Sequence, residues 1–267
     1  MNQVVDKPLS INDITAMKRN GEKITCLTAY DAGFAAVIDK VGIDIMLVGD
    51  SLGMVIQGHS TTVPVTIEQM VYHTQCVSRV RKRAYLIADM PFMTYGSTDM
   101  AAKNAAQLLQ TGGAQMVKLE GAKIDCVRFL VEQGIPVCGH LGLLPQSIHQ
   151  LGAYSVQGKE PEAAQKLRDD AQQLQQTGAS LLVLECVPAA LAKQISEELT
   201  IPVIGIGAGV DCDGQVLVLY DMLNIGTSKR PRFSKDFMAD CNSVEDAIKA
   251  YQHAVKNAEF PGLEHSF

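Results

Sequence analysis

One pattern of apolar and polar positions recurs along the chain: an amphipathic stretch, a glycine, then a short unbroken apolar run that ends on a polar residue or on glycines. The apolar runs are ITCLTAY (24–30), DIMLVGD (44–50), AYLIADM (84–90), QMVKLEG (115–121), PVCGHLG (136–142), LLVLEC (181–186), PVIGIGAG (202–209) and QVLVLYD (215–221). Short Val, Ile and Leu runs without polar alternation suit strands buried on both faces, as a parallel sheet requires. Between most of them, helical spacing predicts helices over 31–41, 66–82, 97–111, 123–133, 160–177 and 188–199. Gly42, Gly112, Gly134 and Gly178 fall near helix ends, where a residue tolerating positive φ stops a helix best. Asp31 reads as the N-cap of the first of these helices, and Thr66 with Gln69 has capping-box spacing.

Eight strands alternating with helices predict an α/β fold, a (β/α)₈ barrel, with a doubly wound open sheet as the alternative. GIGAG and QVLVLYD are too close for a crossover helix, so the seventh helix is expected to be vestigial. Helices at 10–19 and 243–258 flank the set. A barrel of roughly 250 residues accounts for all 267 residues as one domain, 1–267.

Composition narrows the function. With 23 basic and 29 acidic side chains the net charge is -6, which disfavours phosphate backbones and anionic lipid. The seven cysteines are an odd number without a C-x-x-C pair, which argues against a disulfide framework and a structural zinc site. No apolar run approaches a membrane span, and the N-terminus does not read as a secretory signal. A cytoplasmic protein acting on small molecules is the expectation.

In a (β/α)₈ barrel the C-terminal strand ends carry the active site, and Asp50, Asp89, Glu120, His140 and Glu185 all fall there. A carboxylate buried at the end of an apolar strand is costly unless paired, protonated or metal-bound. Singly, each acid reads as well as a helix cap or an arginine partner. Four of them converging on one mouth repel one another, and a divalent cation is the simplest resolution. All-oxygen donors, with no H-E-x-x-H and no Cys/His cluster, favour Mg²⁺ or Mn²⁺ over zinc. Lys118 lies two residues before Glu120 and shares its face. It suits an anionic substrate, a Schiff base, or a salt bridge to the acids.

Two further motifs point elsewhere. GDSLG (49–53) matches the G-x-S-x-G elbow and the GDSL signature of serine esterases. The elbow needs a helix directly after it, and MVIQGHSTTVPVT has no helical pattern. None of the six histidines has Asp three residues before it, as GDSL enzymes need. GIGAG (205–209) lacks the third spaced glycine of a dinucleotide loop, since position 210 is Val. His59, His73, His149, His253 and His265 carry no interpretable spacing.

In combination, TAYDAGFA, LVGDSLGMVIQGHSTTVPVT, ADMPFMTY, VKLEG, GHLGLLPQS, LLVLECVP and IGIGAGVDCDGQVLVLYD resemble the ketopantoate hydroxymethyltransferase family, from about residue 10 to the C-terminal helix. One departure is Leu144, where the family pattern has threonine. The resemblance implies a barrel of the phosphoenolpyruvate/pyruvate type, assembled as a homodecamer. It implies transfer of a hydroxymethyl group from 5,10-methylenetetrahydrofolate to 3-methyl-2-oxobutanoate in pantothenate biosynthesis. It further implies that Asp50, Asp89 and Glu120 bind Mg²⁺ directly or through water, and that Ser51 and Lys118 bind the oxo acid. Glu185 is then the general base and His140 lies near the substrate.

Chemistry supports that division. Removing a proton beside a ketone makes an enolate, whose charge a cation stabilises. The base must stand off the metal, which Glu185 can do, and its apolar flank raises its pKa. The rivals are a carbon–carbon lyase or phosphonate mutase of the same superfamily, a serine hydrolase at Ser51, and an inactive assembly barrel. The basic run TSKRPRFSK (227–235) reads as a solvated loop or subunit contact, the alternative being that Lys229, Arg230 and Arg232 steer the anionic tail of the folate.

Overall fold

Eight parallel strands close on themselves in chain order. In the computed structural model, which describes residues 7–226 and 230–267, they are β1 (Ile24–Thr28), β2 (Ile45–Val48), β3 (Tyr85–Asp89), β4 (Met116–Glu120), β5 (Val137–Gly142), β6 (Leu181–Glu185), β7 (Val203–Ile206) and β8 (Gly214–Leu217). The helices are α1 (Ile11–Arg19), α2 (Ala32–Val41), α3 (Leu52–Val55), α4 (Ile67–Ser78), α5 (Thr98–Gln110), α6 (Ile124–Glu132), α7 (Ile148–Leu151), α8 (Pro161–Gln176), α9 (Ala189–Glu198), α10 (Leu219–Met222) and α11 (Val244–Lys256). All eight expected strands form, and the closed barrel excludes the open sheet.

The two-residue period of a strand divides the apolar side chains into two cores. Leu27, Met46, Leu86, Val117, Leu119, Leu182 and Leu184 face outward into the layer beneath the helices. Cys26, Ile45, Leu47, Tyr85, Ile87, Met116, Cys138, Leu181, Val183, Ile204 and Val216 fill the barrel interior. Helix α1 opens with a capping box between Ser10 and Asp13. Its Ile14 is fully buried in that interior core, with Leu9, Ile11 and Met17 packed behind it. The inner stripes are therefore sealed with hydrocarbon at one end and continue into polar residues at the other.

The stretch 207–213 joins β7 to β8 without a helix, as expected. Lys23 Nζ anchors this connection by donating to the carbonyls of Val210 and Cys212. Helix α11 packs on α2 and β1, and its Tyr251 hydroxyl donates to the carbonyls of Cys26 and Gln215.

Four local readings need correction. The strand read over 215–221 ends at Leu217, and Leu219–Met222 turn into the one-turn helix α10. The chain after Ser51 does turn into a helix, α3, but for four residues, too few to leave a periodicity in sequence. Helix α4 ends at Ser78, short of the expected 82. The Asp39 carboxylate accepts the main-chain N–H groups of Lys82, Arg83 and Ala84, fixing that segment outside the helix. At the end of α5 the positive φ of 82° belongs to Gly113 instead of Gly112.

Among the described residues, no helix is long and apolar enough to cross a membrane.

Candidate active site

The polar residues of the barrel mouth are the last rungs of the inward stripes. Asp89 follows Tyr85 and Ile87, Lys118 and Glu120 follow Met116, His140 follows Cys138, and Glu185 follows Leu181 and Val183. Register then sets the neighbours: Asp89 lies opposite Lys118, Glu120 opposite His140, and Gly142 opposite Glu185. Gly142 allows this last approach. Its φ is 91°, and a Cβ there would lie 2.2 Å from the Glu185 carbonyl oxygen. Cys186, the residue after Glu185, holds a left-handed φ of 49°, a strained conformation for a side chain of this kind.

Asp50, Ser51, Asp89, Lys118, Glu120, His140 and Glu185 all line one cavity of about 1120 Å³. Asp50, Asp89, Lys118, Glu120 and His140 are each no more than 4% exposed. Lys118 Nζ forms an ion pair with Asp89 Oδ1 at 2.9 Å and lies 3.3 Å from His140 Nδ1. Asp89 Oδ2 accepts the Asp50 N–H at 3.1 Å. His140 Nε2 lies 3.2 Å from Glu185 Oε2, although its direction does not yet make a hydrogen bond. The Ser51 hydroxyl meets the buried Tyr30 hydroxyl at 2.8 Å. No histidine among the described residues hydrogen-bonds to Ser51, so the hydrolase triad is not assembled.

The charges explain one another. Burial, then the Asp89 charge, pushes the Asp50 carboxyl up to about 7. Burial and the charge of Asp50 hold Glu120 well above the usual carboxylate range. Burial alone carries Glu185 up to about 7, with Lys118 pulling the other way. Burial works against the Lys118 ammonium, yet Asp89, Glu120 and Asp50 together keep it charged and raise its pKa. Burial and that same ammonium hold His140 well below its ordinary value. The imidazole is thus neutral. Its Nδ1 faces an ammonium, which has only hydrogens to give, so the ring proton resides on Nε2, towards Glu185.

At the ends of the strands, among the described residues, four carboxyl groups therefore surround one buried ammonium, that of Lys118. Among the described residues, no three His, Cys, Asp or Glu side chains already converge as a ready-made metal cluster. The donors fit a hard divalent ion in type and charge, since Mg²⁺ usually takes one or two carboxylates and completes its shell with substrate oxygens and water. Asp50 and Glu120 suit direct ligation. Asp89 has both oxygens engaged, one by Lys118 and one by the Asp50 N–H, and suits contact through water.

Two residues of this mouth carry no charge and escape an argument built on acids. Gln146 Nε2 donates to Asp50 Oδ2 at 2.8 Å, and the Gln146 main-chain N–H donates to Glu120 Oε2 at 3.0 Å. The Tyr95 hydroxyl donates to Gln146 Oε1. In the basic run, Lys229 lies outside the described residues. Arg230 pairs with Asp236 at 3.4 Å. Arg232 donates to the Glu264 carbonyl at 3.0 Å and lies over the Phe267 ring.

A closed parallel barrel whose C-terminal mouth gathers buried carboxylates, a lysine and a neutral histidine is a (β/α)₈-barrel enzyme. Among solved structures, the fold is shared with a 2,3-dimethylmalate lyase of the PEP mutase/isocitrate lyase superfamily (TM-score 0.56, 14% identity, 95% of this chain and 89% of that one). It is also shared with a phosphonopyruvate hydrolase in complex with oxalate and Mg²⁺ (TM-score 0.60, 12% identity, 92% and 95%). The chain belongs to the ketopantoate hydroxymethyltransferase family, whose model matches residues 8–263. Curated relatives named 3-methyl-2-oxobutanoate hydroxymethyltransferase include those of Alkalilimnicola ehrlichii (54% identical, covering 98% of this chain and 95% of that one) and Methylococcus capsulatus (55%, covering 97% of each).

Proposed function

We propose that this enzyme transfers a hydroxymethyl group from 5,10-methylenetetrahydrofolate to 3-methyl-2-oxobutanoate, giving 2-dehydropantoate (ketopantoate) in pantothenate biosynthesis. Membership of the family supports the acceptor and the group moved. The observation that carries the mechanism is Glu185, a carboxyl raised to about 7 in the same cavity as Asp50 and Glu120, with the neutral His140 beside it. A base titrating near neutral pH is well matched to removing a proton beside a ketone.

Asp50 and Glu120, with Asp89 through water, are the residues that would hold Mg²⁺. When bound, the ion would supply positive charge that stabilises the negative charge growing as the C3 proton leaves. The proton on C3 passes to Glu185, and the electron pair left behind forms the new bond from C3 to the one-carbon unit. Over the whole reaction both C–N bonds of that unit to the folate break and a water supplies the hydroxyl oxygen. The proton from C3 and the second water proton end on the two folate nitrogens. His140 presents its Nε2 hydrogen to Glu185 and orients the carboxylate. Lys118, held charged by Asp89, offers its ammonium to the substrate carboxylate, and Ser51, lining the same cavity, orients the acid. Oxalate bound with Mg²⁺ in the phosphonopyruvate hydrolase of like fold presents adjacent oxygens of the kind a 2-oxo acid carries. The family resemblance extends this reading to a cytoplasmic homodecamer.

The test is consumption of 3-methyl-2-oxobutanoate with and without the folate and with and without Mg²⁺. Ketopantoate formed only when both are present supports the reading. Folate-independent cleavage products would move the chain to the lyase branch of the superfamily.

A further inference from the structure

Gln146 touches two of the carboxylates at once, and its own orientation is locked. Its Nε2 donates to Asp50 Oδ2 at 2.8 Å and to the Met90 carbonyl at 3.0 Å. Its Oε1 accepts the hydrogen of the Tyr95 hydroxyl, whose oxygen accepts the Glu120 N–H at 3.3 Å. Its main-chain N–H donates to Glu120 Oε2 at 3.0 Å. Both residues are buried, Gln146 to 4% and Tyr95 to 7% exposure. Turning the amide over would place its oxygen against a carboxylate and a carbonyl, and its NH₂ group against the hydroxyl that now donates to it. A fixed amide of this kind is costly to disturb once buried.

We infer that Gln146 is a positioning residue that makes this mouth select a small divalent cation over a large one. The inference rests on the metal reading given above. Asp50 Oδ2 and Glu120 Oε2 are each taken up by a hydrogen bond from Gln146, so each carboxylate turns one uncommitted oxygen to the cavity. Single-oxygen donors suit Mg²⁺, which demands a compact octahedron. Ca²⁺ takes six to eight oxygens and readily accepts both oxygens of one carboxylate. Without the Nε2 donor, the Asp50 carboxylate is free to turn and present both oxygens, an arrangement that suits the larger ion. Selectivity is a difference of two affinities, and Gln146 acts on that difference through the freedom of Asp50.

The experiment is calorimetric titration of the whole protein, without substrates, with MgCl₂ and separately with CaCl₂. Gln146→Met retains length and loses the amide. Its Mg²⁺ affinity is expected to fall by about 10–100-fold, as is usual when a partner of a ligating carboxylate is removed. Its Ca²⁺ affinity stays level or rises, so the Mg²⁺/Ca²⁺ ratio drops at least about tenfold. Tyr95→Phe keeps Gln146 and removes the hydroxyl that fixes its amide, and the ratio moves the same way by a smaller factor. This second variant decides the matter where Gln146→Met does not fold, as judged by circular dichroism. An unchanged ratio in the folded variants overturns the inference and leaves the metal reading standing. Absence of divalent-ion binding by the wild type overturns the metal reading, and the inference with it.

Discussion

His140 Nε2 stands 3.2 Å from Glu185 Oε2, and the ammonium of Lys118 on the far side of the ring fixes which nitrogen carries the hydrogen. The neutral imidazole therefore turns its hydrogen-bearing nitrogen towards Glu185, the proposed base. Catalytic hydrogen bonds are often long or misaligned before substrate binds and tighten in the complex.

Removing that donor has a signed consequence. Once aligned with substrate bound, this hydrogen bond would favour the ionised carboxyl and lower its pKa, so a variant unable to form it has the higher pKa in the complex. In His140→Leu the base is ionised only at higher pH. The acid limb of C3 proton exchange moves upward by about one pH unit or more, given about 1.5–3 kcal/mol for a hydrogen bond to a charged group. Exchange followed by NMR across pH 5–9 checks this, and an acid limb that stays in place removes His140 from the role.

The acids at the mouth differ in how free they are. Asp50 turns an uncommitted oxygen to the cavity, whereas Asp89 is engaged by Lys118 and by the Asp50 N–H. Asp50→Asn and Asp89→Asn both weaken Mg²⁺ binding while the fold persists, and Asp50→Asn weakens it more. Calorimetric titration measures both. Unchanged Mg²⁺ affinity in Asp50→Asn would contradict its assignment as a ligand.

The same raised carboxyl groups set a pH dependence of stability. Asp50 and Glu185 titrate at about 7 in the folded chain, against about 4 in an unfolded one. Between those values the folded state holds more protons than the unfolded state, so stability falls as pH rises from about 4 to 7. Asp44, whose pKa is lowered despite its burial, by Lys256 and Thr25, acts in the opposite sense, and its contribution is lost below that window. The metal-free protein is thus expected to melt at a lower temperature at pH 7.5 than at pH 5.5. On the proposed metal site Mg²⁺ would bind the ionised carboxylates, so it is expected to raise the melting temperature more at pH 7.5. A larger Mg²⁺ effect at pH 5.5 would reverse the sign of this account.

Much of this was legible in the residue pattern because the barrel repeats a simple unit. Buried strands announce themselves as apolar runs, and Asp50, Asp89, Lys118, Glu120, His140 and Glu185 stand out as charges at the ends of such runs. The missing seventh helix was readable from the spacing between GIGAG and QVLVLYD. Gln146 and Tyr95 were not readable, since an amide and a phenol in a loop leave no charge to explain, and the hydrogen bonds that recruit them join segments far apart in sequence. The polar PQS immediately after GHLGLL was the available signal for Gln146. Tyr30 reads as the end of an apolar run, and its contact with Ser51 depends on the parallel pairing of β1 with β2. The one-turn helices α3 and α7 are shorter than any periodicity that could reveal them.

In the proposed mechanism Glu185 removes the C3 proton while other residues hold the cation. Its most direct test is exchange of the C3 proton of 3-methyl-2-oxobutanoate with D₂O, without folate, in wild type and Glu185→Gln, alongside Mg²⁺-dependent binding of the oxo acid by titration. The wild type is expected to exchange the proton. Glu185→Gln keeps shape and hydrogen bonding without a proton acceptor, so it should bind the oxo acid in the presence of Mg²⁺ and exchange about 10²–10⁴-fold more slowly. Wild-type exchange in the variant would contradict the base assignment, and loss of oxo-acid binding would make Glu185 a binding residue instead.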